Sequence, residues 1–204
     1  MQMNLFEYLR EEIIFMTSHT PQSVSKSGLK TKDMVLIALN TAVTCILAPF
    51  SVPIPVSPVP ISLTNLVLNF SIYLLGWKFA TLSYLVYLLL GLVGLPVFSG
   101  FTGGLTKLAG PTGGYLVGFI FLTIIAGIFV EKSKGNVLLS AIGIILGTAV
   151  CYLFGTVWLS WQLGMTFYQG LAVGVIPYLP GDCIKMVLAL ILAPMIAKRI
   201  RKAQ

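Results

Sequence analysis

The sequence predicts an all-α integral membrane protein with six transmembrane helices and both termini in the cytoplasm. Three observations lead there. Of 204 residues, 57% are hydrophobic and only 9% are charged, whereas soluble domains are about half apolar and a quarter charged. Residues 34–77 and 135–181 carry no charged side chain at all, and each stretch far exceeds the ~20 residues that one span needs. The basic residues fall on one side of the spans so defined: Arg10, Lys26, Lys30, Lys32, Lys78, Lys132, Lys134, Lys198, Arg199, Arg201 and Lys202 occupy termini and loops on the predicted inner side, and Lys107 alone an outer loop. This positive-inside bias sets the orientation. It also accounts for the net charge of +7 without nucleic acid, for which the chain has too few polar residues to build a binding face.

Residues 1–32 form a cytoplasmic extension. Leu5, Phe6, Leu9, Ile13 and Ile14 recur at helical spacing among Glu7, Arg10, Glu11 and Glu12, which predicts a short amphipathic helix and argues against a signal peptide. Residues 33–204 form the membrane domain. Its first span is Met34–Ala48. Five prolines, Pro49, Pro53, Pro55, Pro58 and Pro60, then fix extended backbone and remove N–H donors, marking a reversal. The second span is Ile61–Leu75. Lys78 separates it from the third, Phe79–Leu95, which ends at Gly94-Leu95-Pro96. The glycine-rich segment Val97–Thr112 leads into the fourth span, Gly113–Val130, stopped by Glu131-Lys132-Ser133-Lys134-Gly135. The fifth, Asn136–Leu159, is followed by an apolar hairpin or interfacial stretch to Ile176. The sixth, Pro177–Ala197, is closed by Lys198-Arg199-Ile200-Arg201-Lys202.

Chemistry-bearing residues are few. Cys45, Cys151 and Cys183 are far apart, with no CxxC pair and no neighbouring His, so neither a disulfide framework nor a metal site is expected. No Walker motif, HExxH or nucleophile elbow occurs, so neither an ATPase nor an integral membrane enzyme is expected. Asp182 and Lys185 stand apart from the cytoplasmic rim, three residues apart on one helical face and close to the helix start that Pro180 marks. Charge at that depth is costly and marks a ligand path more often than a mere brace. Asp182 is expected to accept N–H bonds from an amide or ureido group, and Lys185 to neutralise a ligand carboxylate. The segment from Ser99 and Gly100 through Gly103 and Gly104 to Tyr115 is the second candidate: glycine permits close backbone approach to a ligand and leaves backbone groups to bind it. Phe98, Phe101 and Tyr115 would supply an apolar wall. An ordinary outer turn is the competing reading. Small residues four apart, Ala38/Ala42, Gly114/Gly118, Gly143/Gly147 and Gly170/Gly174, are expected to let helices pack closely.

The runs Gly91-Leu92-Val93-Gly94-Leu95-Pro96-Val97-Phe98, Gly110-Pro111-Thr112-Gly113-Gly114-Tyr115-Leu116-Val117-Gly118 and Pro180-Gly181-Asp182-Cys183-Ile184-Lys185 together resemble the BioY family, the biotin-specific substrate-binding (S) components of energy-coupling factor (ECF) transporters. The likeness covers about residues 33–197. It implies an S-component fold of six helices in the prokaryotic cell membrane, biotin as the ligand, no cofactor, and work in concert with a transmembrane coupling protein and two cytoplasmic ATPases. It also implies that Asp182 and Lys185 match the family's Asp-x-x-Lys binding pair, and that Ala38 and Ala42 match the small-residue motif by which first helices dock on the coupling protein. The residues by themselves specify only an amide-bearing, apolar, anionic ligand. A carrier or S component for another small anionic vitamin or metabolite stays open.

Overall fold

The computed structural model describes residues 29–55 and 57–202, so the amphipathic segment expected near the N-terminus lies outside the described residues. Helix α1 spans Thr31–Leu47. Its inward face is polar as well as apolar: Ile37, Thr41 and Thr44 are buried, and Asn40 bridges Ser71 and Ser83, which lie on either side of a break in the next helix at Gly76. The Asn40 amide donates to Ser83 Oγ at 2.8 Å and accepts from Ser71 Oγ at 2.8 Å, while Thr41 Oγ1 donates to the Ser83 carbonyl at 3.1 Å. Such interhelical bonds in a membrane contribute about 0.6 kcal/mol each, and their greater effect is to fix which face of α1 turns in. Ala38 and Ala42 lie on the opposite, exposed face.

The proline-rich reversal is ordered as an antiparallel hairpin of β1, Ser51–Ile54, and β2, Ser57–Ser62. Proline donates no ladder bond, so it sits only in edge strands, and a two-stranded hairpin consists of nothing else. Helix α2 follows over Thr64–Leu92 and takes in both the second and third predicted spans. A straight helix of this length would reach about 1.5 Å per residue, well beyond a 30 Å core. It is broken at Gly76, where φ 75° and ψ 170° leave helical space, a conformation open to glycine and strained for any other residue. Lys78 directly after the break marks it in the sequence.

A tight turn at residues 98–102 and the short helix α3, Leu105–Ala109, lead to α4, Gly113–Ser133. Helix α5 runs from Val137 to Leu163, capped by Asn136, whose side chain accepts from the Leu138 and Leu139 amides. Helices α4 and α5 pack most intimately of all, through glycine. A Cβ on Gly114 would meet Trp158, one on Gly118 the Cys151 carbonyl at 2.9 Å, one on Gly147 the Leu122 carbonyl, and one on Gly155 the Tyr115 ring. The predicted small-residue pairs on these two helices thus do act in helix contact. The apolar stretch after the fifth span is α6, Phe167–Gly174, opened by a Thr166/Gln169 capping box. A single 3-10 turn, Ile176–Tyr178, then joins it to α7, Leu179–Lys202.

Among the described residues, four helical stretches are long and apolar enough to cross a membrane: Thr64–Leu92, Gly113–Ser133, Val137–Leu163 and Phe167–Ile200. The protein is therefore a mostly helical membrane protein. Leu68, Ile72, Tyr84, Tyr87, Phe98, Leu122 and Ile144 make the interior, with the buried hydroxyls of Tyr84 and Tyr87 satisfied by the Leu116 and Val97 carbonyls. Along α7, Ile184, Val187, Ile191 and Met195 are exposed, as lipid-facing residues should be.

Candidate ligand-binding site

One cleft gathers Asp182, Lys185 and Lys107 with the tyrosines Tyr115, Tyr152 and Tyr178. It contains about 640 Å³ of atom-free space, part of it open to the surroundings, and its walls come from β2, the start of α2, the 98–112 segment, α4, α5 and α7. Val59, Pro60, Ile61, Phe98, Leu116 and Phe119 make it apolar. Polar groups project from three sides.

On α7, Asp182 is buried and Lys185 partly so, with Lys185 Nζ 2.9 Å from Asp182 Oδ1. Pro180 and Gly181 open the helix, so Asp182 belongs to its first turn, where a negative charge is favoured by the helix dipole. The second carboxylate oxygen accepts from Tyr152 Oη of α5 at 2.5 Å. The Lys185 ammonium also donates to the Ser62 carbonyl of β2 at 2.8 Å. After these bonds the ammonium retains a donor and the carboxylate retains lone pairs, so the pair is braced without being saturated. Its closeness has a consequence for recognition. Two groups in direct contact address one end of an extended ligand, and cannot divide between a polar head and a distant carboxylate.

Lys107 of α3 and Thr112, the residue before α4, also line the cleft. Burial pushes the Lys107 ammonium below the usual lysine range, since partial loss of water disfavours the charged form. Helix α3 is held down by α5, where Trp158 Nε1 donates to the Gly110 carbonyl at 2.9 Å and Gln162 Nε2 to the Ala109 carbonyl at 2.5 Å. Tyr115 lines the floor and donates through Oη to the Gly174 carbonyl at 2.9 Å. Ser99 also lines the cleft.

Of the residues expected from sequence, Asp182, Lys185, Tyr115 and Ser99 therefore meet at one cleft. Gly100, Gly103 and Gly104 do not border it. Their backbone groups are engaged elsewhere: the Gly100 N–H donates to the Pro49 carbonyl at 2.9 Å and the Gly104 N–H to the Gly91 carbonyl at 2.7 Å. A Cβ on Gly103 would fall 2.2 Å from the Leu95 carbonyl. These glycines shape the turn that carries Phe98 and Ser99, and Phe101, 60% exposed, points away from the core. Sequence reasoning missed Tyr152, Asn65, Ser62 and Phe119, and included Thr112 only as part of the segment that ends at Tyr115. Nothing in their spacing marks them, because each reaches the cleft from a different element.

Comparison with known proteins decides the lineage. The BioY family description matches residues 18–202. The chain belongs to the BioY family. This BioY-family chain is 37% identical over 153 residues to the biotin transporter BioY of Thermotoga maritima, covering 75% of this chain and 87% of that one. It is 34% identical over 179 residues to a biotin transporter BioY of Lactococcus lactis, covering 85% and 92%. Among solved structures it is similar to the S-component for biotin from an ECF-type ABC transporter, with TM-score 0.77, 31% identity, and coverage of 84% of this chain and 95% of that one. The BioY-family fold thus extends over the membrane helices, cleft included.

Proposed function

We propose that this protein is the membrane subunit that captures biotin from outside the cell and delivers it inward with an ECF coupling protein and two ATPases. It is a binding subunit of a transporter and no enzyme. The observation that carries the reading is the braced Asp182–Lys185 pair within an otherwise apolar cleft of a BioY-family chain. A ureido group presents N–H donors beside a carbonyl acceptor. A carboxylate and an ammonium 2.9 Å apart offer the complementary acceptor and donor side by side: Asp182 accepts the ureido N–H and Lys185 donates to the ureido oxygen. Phe98, Phe119, Tyr115 and Leu116 suit the thiophane ring and valeryl chain, with Ser99 at the rim. Lys107, the other cation bordering the cleft, takes the carboxylate that Lys185 is too near Asp182 to reach. Gly100, Gly103 and Gly104 serve the site by holding its turn.

The proposed topology is six spans with N- and C-termini inside, α1 and the two arms of α2 counting as three and α4, α5 and α7 as the rest, in a membrane domain over residues 33–204. The exposed Ala38/Ala42 face of α1 is proposed to dock on the coupling protein. Calorimetry on detergent-solubilised protein tests the ligand. Biotin should bind without nucleotide or ion gradient, and thiamine and riboflavin should not. Asp182→Asn and Lys185→Met should each weaken biotin by tenfold or more, since removing one partner of a desolvated charged contact costs about 2–5 kcal/mol. Binding only in the presence of a sodium or proton gradient would instead identify a coupled carrier.

A further inference from the structure

The Thr112 hydroxyl makes no hydrogen bond within the protein. Thr112 is 9% exposed, and its Oγ1 is buried without a hydrogen-bond partner among the protein atoms. It precedes α4, the position at which threonine ordinarily caps a helix through its side chain, yet with φ −87° and ψ −8° it makes no such bond. A buried hydroxyl left unpaired costs about 1–3 kcal/mol. Thr112 borders the cleft that holds Asp182, Lys185 and Lys107. It stands at the positive end of α4, with Lys107 five positions earlier on α3.

We propose that Thr112 is a specificity-determining residue whose hydroxyl donates a hydrogen bond to the ligand carboxylate, beside Lys107. This deepens the biotin reading above and rests on it. A donor hydroxyl, an ammonium and the start of a helix all favour negative charge at one spot, and the carboxylate is the anionic part of the ligand. Asp182 and Lys185, on α7, are already matched to the ureido head. The unsatisfied hydroxyl is therefore a site prepared for the bound state, its cost in the free protein offset when the ligand arrives.

The test compares Thr112→Val, Thr112→Ser and Thr148→Val for affinity and for thermal stability without ligand. Thr148 is the control because its hydroxyl is also buried and unpartnered but does not border the cleft. Thr112→Val should leave the melting temperature of the free protein unchanged or raised and weaken biotin about tenfold, equivalent to about 1.4 kcal/mol. Thr112→Ser should stay within about twofold of wild type, and Thr148→Val should not alter affinity. With a biotin analogue whose side chain ends in methyl, wild type and Thr112→Val should bind equally. Wild-type affinity in Thr112→Val would overturn the proposal. So would a tenfold loss that persists with the methyl analogue, which would assign the hydroxyl to the ureido end. If wild-type protein fails to bind biotin at all, the underlying reading falls, and that result is distinct from either.

Discussion

At the scale of single residues, the cleft is defined by how few polar groups it contains and how each is held. Asp182 is braced on one oxygen by Lys185 and on the other by Tyr152, so neither oxygen is left without a partner in an apolar wall. Asp182, engaged with Lys185 and Tyr152, is among the described residues the one carboxylate that lines the cleft with Lys107, and burial already holds the Lys107 ammonium below the ordinary lysine range. A bound carboxylate would restore the charged form and raise that value. Binding then takes up a proton wherever free Lys107 is partly neutral: affinity is full below the free-state value and declines as pH rises through the bound-state value. Biotin titrations from neutral to strongly alkaline pH should display this decline, and Lys107→Met should start weaker and lose that part of the slope. A slope unchanged by the substitution would take Lys107 out of the carboxylate contact.

At the scale of elements, the hairpin and α1 each present a testable face. The hairpin lies over the cleft, and two side chains hold it there: Tyr178 Oη donates to the Val59 carbonyl and Lys185 Nζ to the Ser62 carbonyl. A two-stranded hairpin is marginal by itself, so these two tethers help to hold it in place. Tyr178→Phe should speed biotin release by about fivefold, the equivalent of one net hydrogen bond of about 1 kcal/mol, with little change in thermal stability. Stopped-flow displacement by labelled biotin measures it, and an unchanged release rate would mark the hairpin as a static connector. In α1 the polar bridge of Asn40 and Thr41 to α2 turns Ala38 and Ala42 outward. Ala38→Trp or Ala42→Trp should therefore fold and bind biotin normally while abolishing co-purification with the coupling protein and ATP-dependent uptake. Loss of biotin binding together with complex formation would indicate internal packing, and unchanged uptake would remove the docking role.

At the scale of the whole molecule, the break in α2 decides how the chain traverses the bilayer. Gly76 divides the helix just before Lys78, and an ammonium there is far cheaper at an interface than at mid-membrane. Together with Glu131, Lys132 and Lys134 at the end of α4 and Lys198 and Arg199 near the end of α7, Lys78 forms the basic rim that the proposed topology puts inside, opposite the cleft. Cysteines introduced singly at Lys78, Lys132 and Lys198, in a variant whose native cysteines are replaced, should react with an impermeant thiol reagent only after cells are opened. One introduced at Val52 of the hairpin should react in intact cells. Labelling of the basic-rim positions from outside would reverse the topology.

The sequence alone determined the solvent, and most of the spans, because apolar composition and the positions of charge are properties of the chain that no packing alters. It also determined the Asp182–Lys185 pair, since a spacing of three on a helix is local geometry. The match to a family rested on contiguous motifs, which are equally local. Only the tertiary structure decided which residues share a cavity. The glycines at 100, 103 and 104 read as a ligand loop, and folding instead directs two of their N–H groups to the Pro49 and Gly91 carbonyls, partners remote in sequence. Tyr152 reaches Asp182 across 30 positions and Lys185 reaches Ser62 across 123, contacts without any periodic signal. The break in α2 at Gly76, by contrast, falls where Lys78 separates the second and third predicted spans, because an ammonium is costly inside a span. Burial supplies the last distinction: a threonine hydroxyl is unremarkable in a sequence, and becomes informative only when the packed chain leaves it without a partner beside a cleft.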